Sequence, residues 1–200
     1  MKVAIIRYNA GNVQSVVYAL ERLGVTPLWT DDHEVIKNAD KVIFPGQGEA
    51  STTMAYLQQK GLDRLIVNLK QPVLGICIGL QLMCRHSEEG DTNCLGIFDL
   101  EVKKFVRPDA KNAHDQYKIP HMGWNRLENC QGKIFSGLNN PYVYYVHSFY
   151  AAIGAETAGT TDYILPFSGV LQKGNFYAVQ AHIEKSGDDG QKMLANFLEL

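Results

Sequence analysis

The stretch PVLGICIGLQLM, residues 72–83, runs from a strand-like apolar segment, through two glycines flanking a cysteine, into a segment with helical spacing. Gly75-Ile76-Cys77-Ile78-Gly79 has the form G-x-C-x-G, the pattern of a nucleophile set on a sharp strand-to-helix turn. A residue on such a turn has strained backbone angles. Side chains two positions to either side would collide, so glycine is needed at both. The arrangement exposes a sulfur at the start of a helix, where orphan N–H groups and the helix dipole favour thiolate. The same five residues also suit an ordinary buried cysteine beside two packing glycines, so the decision rests with the rest of the chain.

Upstream, KVAIIRY is a short apolar run ending in NAGN, and VQSVVYALERLG follows with apolar residues at helical spacing and a glycine stop. VTPLWT, DDHEVIKNAD and KVIFPG repeat the alternation, with Pro45-Gly46 ending the third strand. STTMAYLQQKG and LDRLIVNLK read as helices and PVLGIC as a fourth strand, buried on both faces. Strands alternating with helices predict a parallel-core sheet with helices on both faces, whose ligands gather beyond the carboxyl ends of the strands. Downstream, YVYYVHSFYAAI, YILPFSGVL and NFYAVQAHI are aromatic and β-branched, LQKGNF reads as a hairpin, and GDDGQKMLANFLEL supplies a closing helix. The polar stretch around RPDAKNAHDQYK reads as an exposed loop.

The 200 residues, 46% of them hydrophobic, suit one α/β domain spanning 1–200. A net charge of −2, with both signs mixed along the chain, gives no electrostatic reason to expect a nucleic-acid or membrane partner. The N-terminal apolar run is too short for a signal peptide and nothing approaches the roughly 18–20 apolar residues of a membrane span, so a cytoplasmic protein is expected. The cysteines at 77, 84, 94 and 130 contain no C-x-x-C pair, so neither a zinc site nor a disulfide framework is suggested. No metal or organic cofactor is called for.

A cysteine attacking an acyl group needs a base, a group orienting that base, and donors for the oxyanion. Of the six histidines, His33 and His114 lie in polar stretches, and His86 reads as the end of the helix after Cys77. The best base is His182, which closes a β-run. Glu184 follows two residues later, on the same face of an extended chain, although a solvated His and Glu at a strand end fit the same residues. Backbone N–H groups of Gly46, Gln47 and Gly48 could serve the oxyanion; a plain tight turn is the alternative.

YNAGN, FPGQGEA, GICIGLQL, SEEG, KIPHMGWN, YYVHSFY and QAHIEKS run in order through nearly the whole chain, and together they resemble the class I (triad) glutamine amidotransferases. G-I-C-x-G followed by H-x-E marks the superfamily. PHMGWN and YYVHSFY point within it to the glutaminase subunits of imidazole glycerol phosphate synthase. The resemblance implies a flavodoxin-like fold and hydrolysis of L-glutamine to glutamate and ammonia. It makes Cys77 the thioester-forming nucleophile, His182 the acid and base, and Glu184 its orienter. It implies an oxyanion loop at Gly46, Gln47 and Gly48, and glutamine held by Gln81, Glu89, Ser148 and Phe149. The implied partner is a HisF-type cyclase, a (β/α)8 barrel that uses the ammonia to form imidazole glycerol phosphate and AICAR in histidine biosynthesis. Asn12, Met122, Trp124, Asn125, Tyr144 and Lys185 match its docking face, whereas core packing is the competing reading of PHMGWN.

The chain departs from the family's Q-F-H-P-E-K-S at Ala181 and Ile183 and carries Gln47 for a usual valine, which leads to the expectation of a looser triad. Arg7 and Asn9 are also less common choices. Rival readings are the glutaminase subunit of another synthase, such as the pyridoxal phosphate type, a stand-alone flavodoxin-like cysteine hydrolase, and a non-catalytic binding protein.

Overall fold

The computed structural model describes residues 1–8, 13–46, 48–107 and 117–200. Asn9, Asn12, Gln47 and His114, together with most of the polar stretch at 107–118, lie outside the described residues. Strands β1 (Val3–Ile6), β3 (Lys41–Phe44) and β4 (Val73–Ile76) are buried at every position, as strands covered on both faces are. With β2 (Leu28–Thr30) they form the parallel part of a seven-stranded sheet, continued by β13 (Phe176–Val179) beside β4 and then by antiparallel β12 (Pro166–Lys173) and β11 (Thr157–Asp162).

The period of two along β1 divides the core. Ala4 and Ile6 pack on the side of α2 (His33–Lys37), α3 (Ala50–Gln59), α4 (Leu62–Val67) and α5 (Ile78–Met83). Val3 and Ile5 pack on the side of α1 (Gln14–Arg22) and α6 (Gly187–Leu198). Polar caps fix where α2 and α3 begin: the Asp32 carboxylate accepts from the Glu34 and Val35 N–H groups, and Glu49 from those of Ser51 and Thr52. The predicted parallel core with helices on both faces is therefore the observed one.

A second sheet orders β10 (Phe149–Ala151), β7 (Glu101–Lys104), β5 (His86–Ser87) and β6 (Thr92–Asn93), and β8 (His121–Arg126) pairs with β9 (Tyr142–His147) as an antiparallel ribbon. Two expectations need correction, and one strand was not anticipated. His86 does not end the helix after Cys77: α5 stops at Met83 and His86 begins β5, with its ring nitrogens on Asp91 and Glu101. Backbone bonds from elsewhere replace the helical ones at that point, Gly96 N–H to Cys84 O and Arg85 N–H to Leu100 O. YVYYVHSFYAAI is two strands in different sheets, broken at Ser148. The edge strand β11 lies over a stretch that gave no strand signal.

Register is what positions the site. Phe44 lies opposite Gly75, and Val179 opposite Ile76, in parallel pairs. The residues that follow each of these strands therefore leave the sheet at one edge: Pro45, Cys77 and Gln180.

Candidate active site

Cys77 caps the start of α5 with φ 50° and ψ −105°, a conformation rarely taken by a residue with a side chain. Its flanking glycines have identifiable neighbours. A Cβ on Gly79 would strike the carbonyl oxygen of Phe44, and one on Gly75 would lie 2.8 Å from the backbone carbon of Gly79. The close approach between turn, helix and β3 is thus the reason for G-x-C-x-G, and the sulfur is held at the mouth of a cleft with Cys77 only 8% exposed.

His182 arrives from the end of β13, anchored by its N–H on Tyr144 O at 2.8 Å. Its Nδ1–H donates to Glu184 Oε1 at 2.7 Å, leaving Nε2 as the ring atom for its interaction with Cys77. Sequence reasoning paired these residues through an extended chain. In fact β13 ends at Val179 and Glu184 sits in a 3₁₀ turn, Ile183–Lys185, so the pair closes across a turn. Burial disfavours charge on His182, but hydrogen bonding to Cys77 and Glu184, with the charges of both, outweighs it and lifts the pKa to about 10. A histidine held protonated beside a sulfur is what a nucleophilic thiolate needs.

A cavity of about 530 Å³ opens over the sulfur, lined by Cys77 and His182 and also by Gly46, Gly48, Gln81, Glu89, Tyr144, Ser148, Phe149 and Lys185. Its volume suits a small metabolite. Gly46 packs so tightly that a Cβ there would meet Ile76 O and lie 2.8 Å from Cys77 Cβ. Tyr8, buried, donates its hydroxyl to Pro45 O at 2.6 Å and so ties that loop to the end of β1. Both amide hydrogens of Gln81 are engaged, on Phe149 O at 2.9 Å and Gln180 Oε1 at 3.1 Å, which leaves its Oε1 acceptor for a ligand. Glu89 accepts from Ala50 N–H at 2.8 Å, yet burial still raises its pKa.

Met122, Trp124 and Asn125 are not in the cavity. Met122 and Trp124 are 63% and 47% exposed on β8, with Trp124 stacked on Tyr142 at 5.6 Å, while Asn125 donates to Asp162 O. The core-packing alternative for PHMGWN therefore fails for its methionine and tryptophan and holds for His121, which is buried and hydrogen-bonded to His147 at 3.0 Å.

Several residues at the site were not anticipated: Tyr8, Ile78, His147 and Gln180. Of these only Gln180 had a local signal, being two positions before His182 at the end of a strand. Among the described residues no cluster of three or more His, Cys, Asp or Glu is arranged to hold a metal ion, and no helix is long and apolar enough to cross a membrane.

Residues 4–200 match the family model described as glutamine amidotransferase class-I. The chain is 57% identical over 201 residues to an imidazole glycerol phosphate synthase subunit HisH of Bacteroides fragilis, covering 100% of both chains. It is 40% identical to the HisH subunit of Idiomarina loihiensis over 200 residues, covering 100% of this chain and 98% of the other. Among solved structures, a putative GMP synthase component from Thermoplasma acidophilum superposes with a TM-score of 0.74 over 100% of this chain and 92% of that one, at 18% identity, a likeness of fold. The chain belongs to the class-I glutamine amidotransferase family and, within it, to the HisH subunits of imidazole glycerol phosphate synthase.

Proposed function

We propose that Cys77, His182 and Glu184 hydrolyse the side-chain amide of L-glutamine in the cavity above α5 and that the ammonia passes to a HisF-type cyclase. Membership in HisH makes the chain a glutamine amidotransferase subunit of histidine biosynthesis. The observation that carries the residue assignment is the convergence of a strained Cys77 and a His182 of raised pKa on one cavity, with the buried Glu184 carboxylate backing the imidazole.

In this mechanism the Cys77 sulfur attacks the amide carbon, and charge develops on the amide oxygen beside the Gly46–Gly48 loop. Backbone N–H groups there and at Ile78, the residue after the nucleophile, stabilise it. His182 gives its proton to the departing nitrogen, releasing ammonia and leaving a glutamyl thioester. The neutral imidazole then takes a proton from water as it attacks the thioester, and glutamate leaves with the thiolate restored. Glu184 holds Nδ1–H throughout and balances the imidazolium. Gln81, Glu89, Ser148 and Phe149 grip the amino-acid end of the substrate.

Met122, Trp124, Asn125, Tyr144 and Lys185, with Asn12, form the docking face for the cyclase. The exposure of Met122 and Trp124 supports this, as does the 3.9 Å at which a Cβ on Gly187 would approach the Trp124 ring, beside the turn that carries Glu184. A cytoplasmic location goes with this reading. The Gly46-Gln47-Gly48 segment acts as a switch that aligns its N–H groups only when acceptor is bound, since one misaligned donor forfeits about 10²–10³ in rate.

The test is ammonia release from glutamine by wild type and Cys77→Ala, with and without cyclase and its ribonucleotide. Wild type is expected to be slow alone and at least about a hundredfold faster in the full assembly, with Cys77→Ala inactive in both. Equal rates with and without the partner would refute the switch, and an active Cys77→Ala would refute the nucleophile.

A further inference from the structure

We propose that Gln180 is a further catalytic residue, whose side-chain amide donates a hydrogen bond to Cys77 Sγ and stabilises the thiolate, with Gln81 fixing the direction in which that amide faces. This rests on reading Cys77 as the nucleophile.

The position follows from sheet register. Val179 lies opposite Ile76 in the parallel β13–β4 pair, and Cys77 N–H bonds to Val179 O at 2.8 Å, so the next residue on β13, Gln180, emerges beside the sulfur. It is 0% exposed. A primary amide in that position has to find its partners within the protein, and it finds two: Nε2 is 3.7 Å from Cys77 Sγ, and Oε1 accepts from Gln81 Nε2 at 3.1 Å.

Which end of the amide faces the sulfur is settled by a backbone carbonyl. Phe149 O can only accept, so the group of Gln81 lying 2.9 Å from it is the NH₂. The second hydrogen of that NH₂ points at Gln180, which must therefore present its oxygen there. The NH₂ of Gln180 is then left facing the sulfur. Turning Gln180 over would set its NH₂ against the NH₂ of Gln81 and its oxygen against sulfur, two repulsive contacts in a dry site. The same carbonyl is gripped from the other side by His147 Nδ1–H at 2.7 Å, which is itself backed by His121 at 3.0 Å. One fixed acceptor thus passes a direction through two amides to the reacting atom.

The direction matters because the two protonation states of Cys77 use it differently. As a thiol, Cys77 donates to Val146 O, 3.9 Å away. As a thiolate it only accepts, and Gln180 is then a donor in place before the proton leaves. Hydrogen bonds to charged acceptors are the stronger kind. Together with His182, which takes the proton, Gln180 gives the anion a second donor.

The experiment is the pH dependence of Cys77 alkylation by iodoacetamide in the complex with cyclase, with Cys77→Ala as the blank for Cys84, Cys94 and Cys130. In Gln180→Met, of similar volume and with no donor, the pH at which Cys77 becomes reactive is expected to rise by about one unit, with alkylation and glutamine turnover at pH 7 about tenfold slower. Gln81→Met, which leaves Gln180 in place but undirected, is expected to shift the profile the same way by about half as much. A folded Gln180→Met with an unshifted alkylation profile overturns the proposal, because a merely structural glutamine would lower yield or stability without moving that profile. Should the variants not fold, the wild type still decides. The side-chain amide resonances of Gln180 are expected to move with the same midpoint as Cys77 reactivity, and stationary resonances overturn the proposal. Failure of the nucleophile reading shows separately, as glutamine hydrolysis surviving Cys77→Ala.

Discussion

His182 Nδ1 lies 2.7 Å from Glu184 Oε1 across a 3₁₀ turn in which the intervening Ile183 is buried, whereas Glu184 Oε2 is buried with no partner among the described residues. The departure at Ile183 therefore accompanies a closed pair. The unpartnered oxygen concentrates the carboxylate's role on the imidazole.

Replacing Glu184 with glutamine tests that role. The amide keeps the size but lacks the charge, and its NH₂ turned toward Nδ1 would favour the wrong tautomer. Ammonia release in the cyclase complex is expected to fall by about 10²–10⁴. The His182 titration, followed by NMR, is expected to move down, since burial lowers it and one of the two groups opposing burial is lost. An unchanged His182 midpoint would remove Glu184 from the triad.

The glycines of the elbow and of the hairpins serve for different reasons, and alanine separates them. Gly79→Ala drives a Cβ into Phe44 O and is expected to cost about 1–3 kcal/mol through displaced packing. Gly174, at φ 57° in the β12–β13 turn, has open space around its missing Cβ, so Gly174→Ala carries only the left-handed penalty of about 1–2 kcal/mol. Urea unfolding gives the two costs. Alkylation of Cys77 should change in Gly79→Ala alone, because only that substitution moves the turn that carries Cys77.

Local chemistry made much of this legible in the chain. Continuous apolar runs announced β1, β3 and β4, and the glycine spacing around Cys77 announced the turn, because each signal is written within a few residues. What escaped was set by pairing between distant segments. Gln180 meets Cys77 only because β13 lies beside β4. The helix carrying Gln81 ends at Met83 because backbone groups near residues 96 and 100 take over its hydrogen bonds. His147 reads as one residue of an alternating strand, and its burial against His121 depends on the β8–β9 register, His121 opposite His147.

The Tyr8 hydroxyl, 2.6 Å from Pro45 O, gives a handle on the proposed switch loop. Tyr8→Phe leaves a buried carbonyl unpaired and is expected to cost about 1 kcal/mol of stability. If that bond holds the loop in its resting arrangement, glutaminase activity without cyclase should rise about fivefold, with the stimulated rate nearly unchanged. A basal rate equal to wild type would uncouple Tyr8 from the switch.

Stability should depend on pH through three histidines. Burial pushes His121 down to about 4 and His147 to about 3, the latter against its bond to Phe149 O and with help from the neighbouring His121 and His182. Both lie below the ordinary value of about 6.5. The unfolded chain therefore takes up protons first, and their contribution is full above about pH 6.5 and is lost as pH falls toward 4. His182 runs the other way: raised to about 10, it contributes fully below about pH 6.5, and its contribution is lost as pH rises through 10. Urea midpoints are expected to peak near pH 6.5. His182→Ala should flatten the alkaline limb and His121→Phe the acid limb; a variant that keeps both slopes would contradict this assignment.

The proposed docking face rests most on Trp124. On β8 alternate side chains leave the core, so Met122 and Trp124 point outward while His121 points in. Trp124 stacks on Tyr142 at a centroid distance of 5.6 Å, which presents its ring as a rigid apolar surface beside the catalytic turn. Buried tryptophans are typical interface anchors, worth about 2 kcal/mol or more on truncation, or roughly thirtyfold in affinity. Trp124→Ala is therefore expected to weaken cyclase binding by about that factor in calorimetry, while the stability read from urea unfolding changes by no more than about 0.5 kcal/mol. Stimulated ammonia release should fall at limiting cyclase and recover when cyclase is saturating, since the triad itself is untouched. Unchanged affinity would move the docking surface elsewhere, and a defect that persists at saturation would assign Trp124 to transmitting activation as well as to binding.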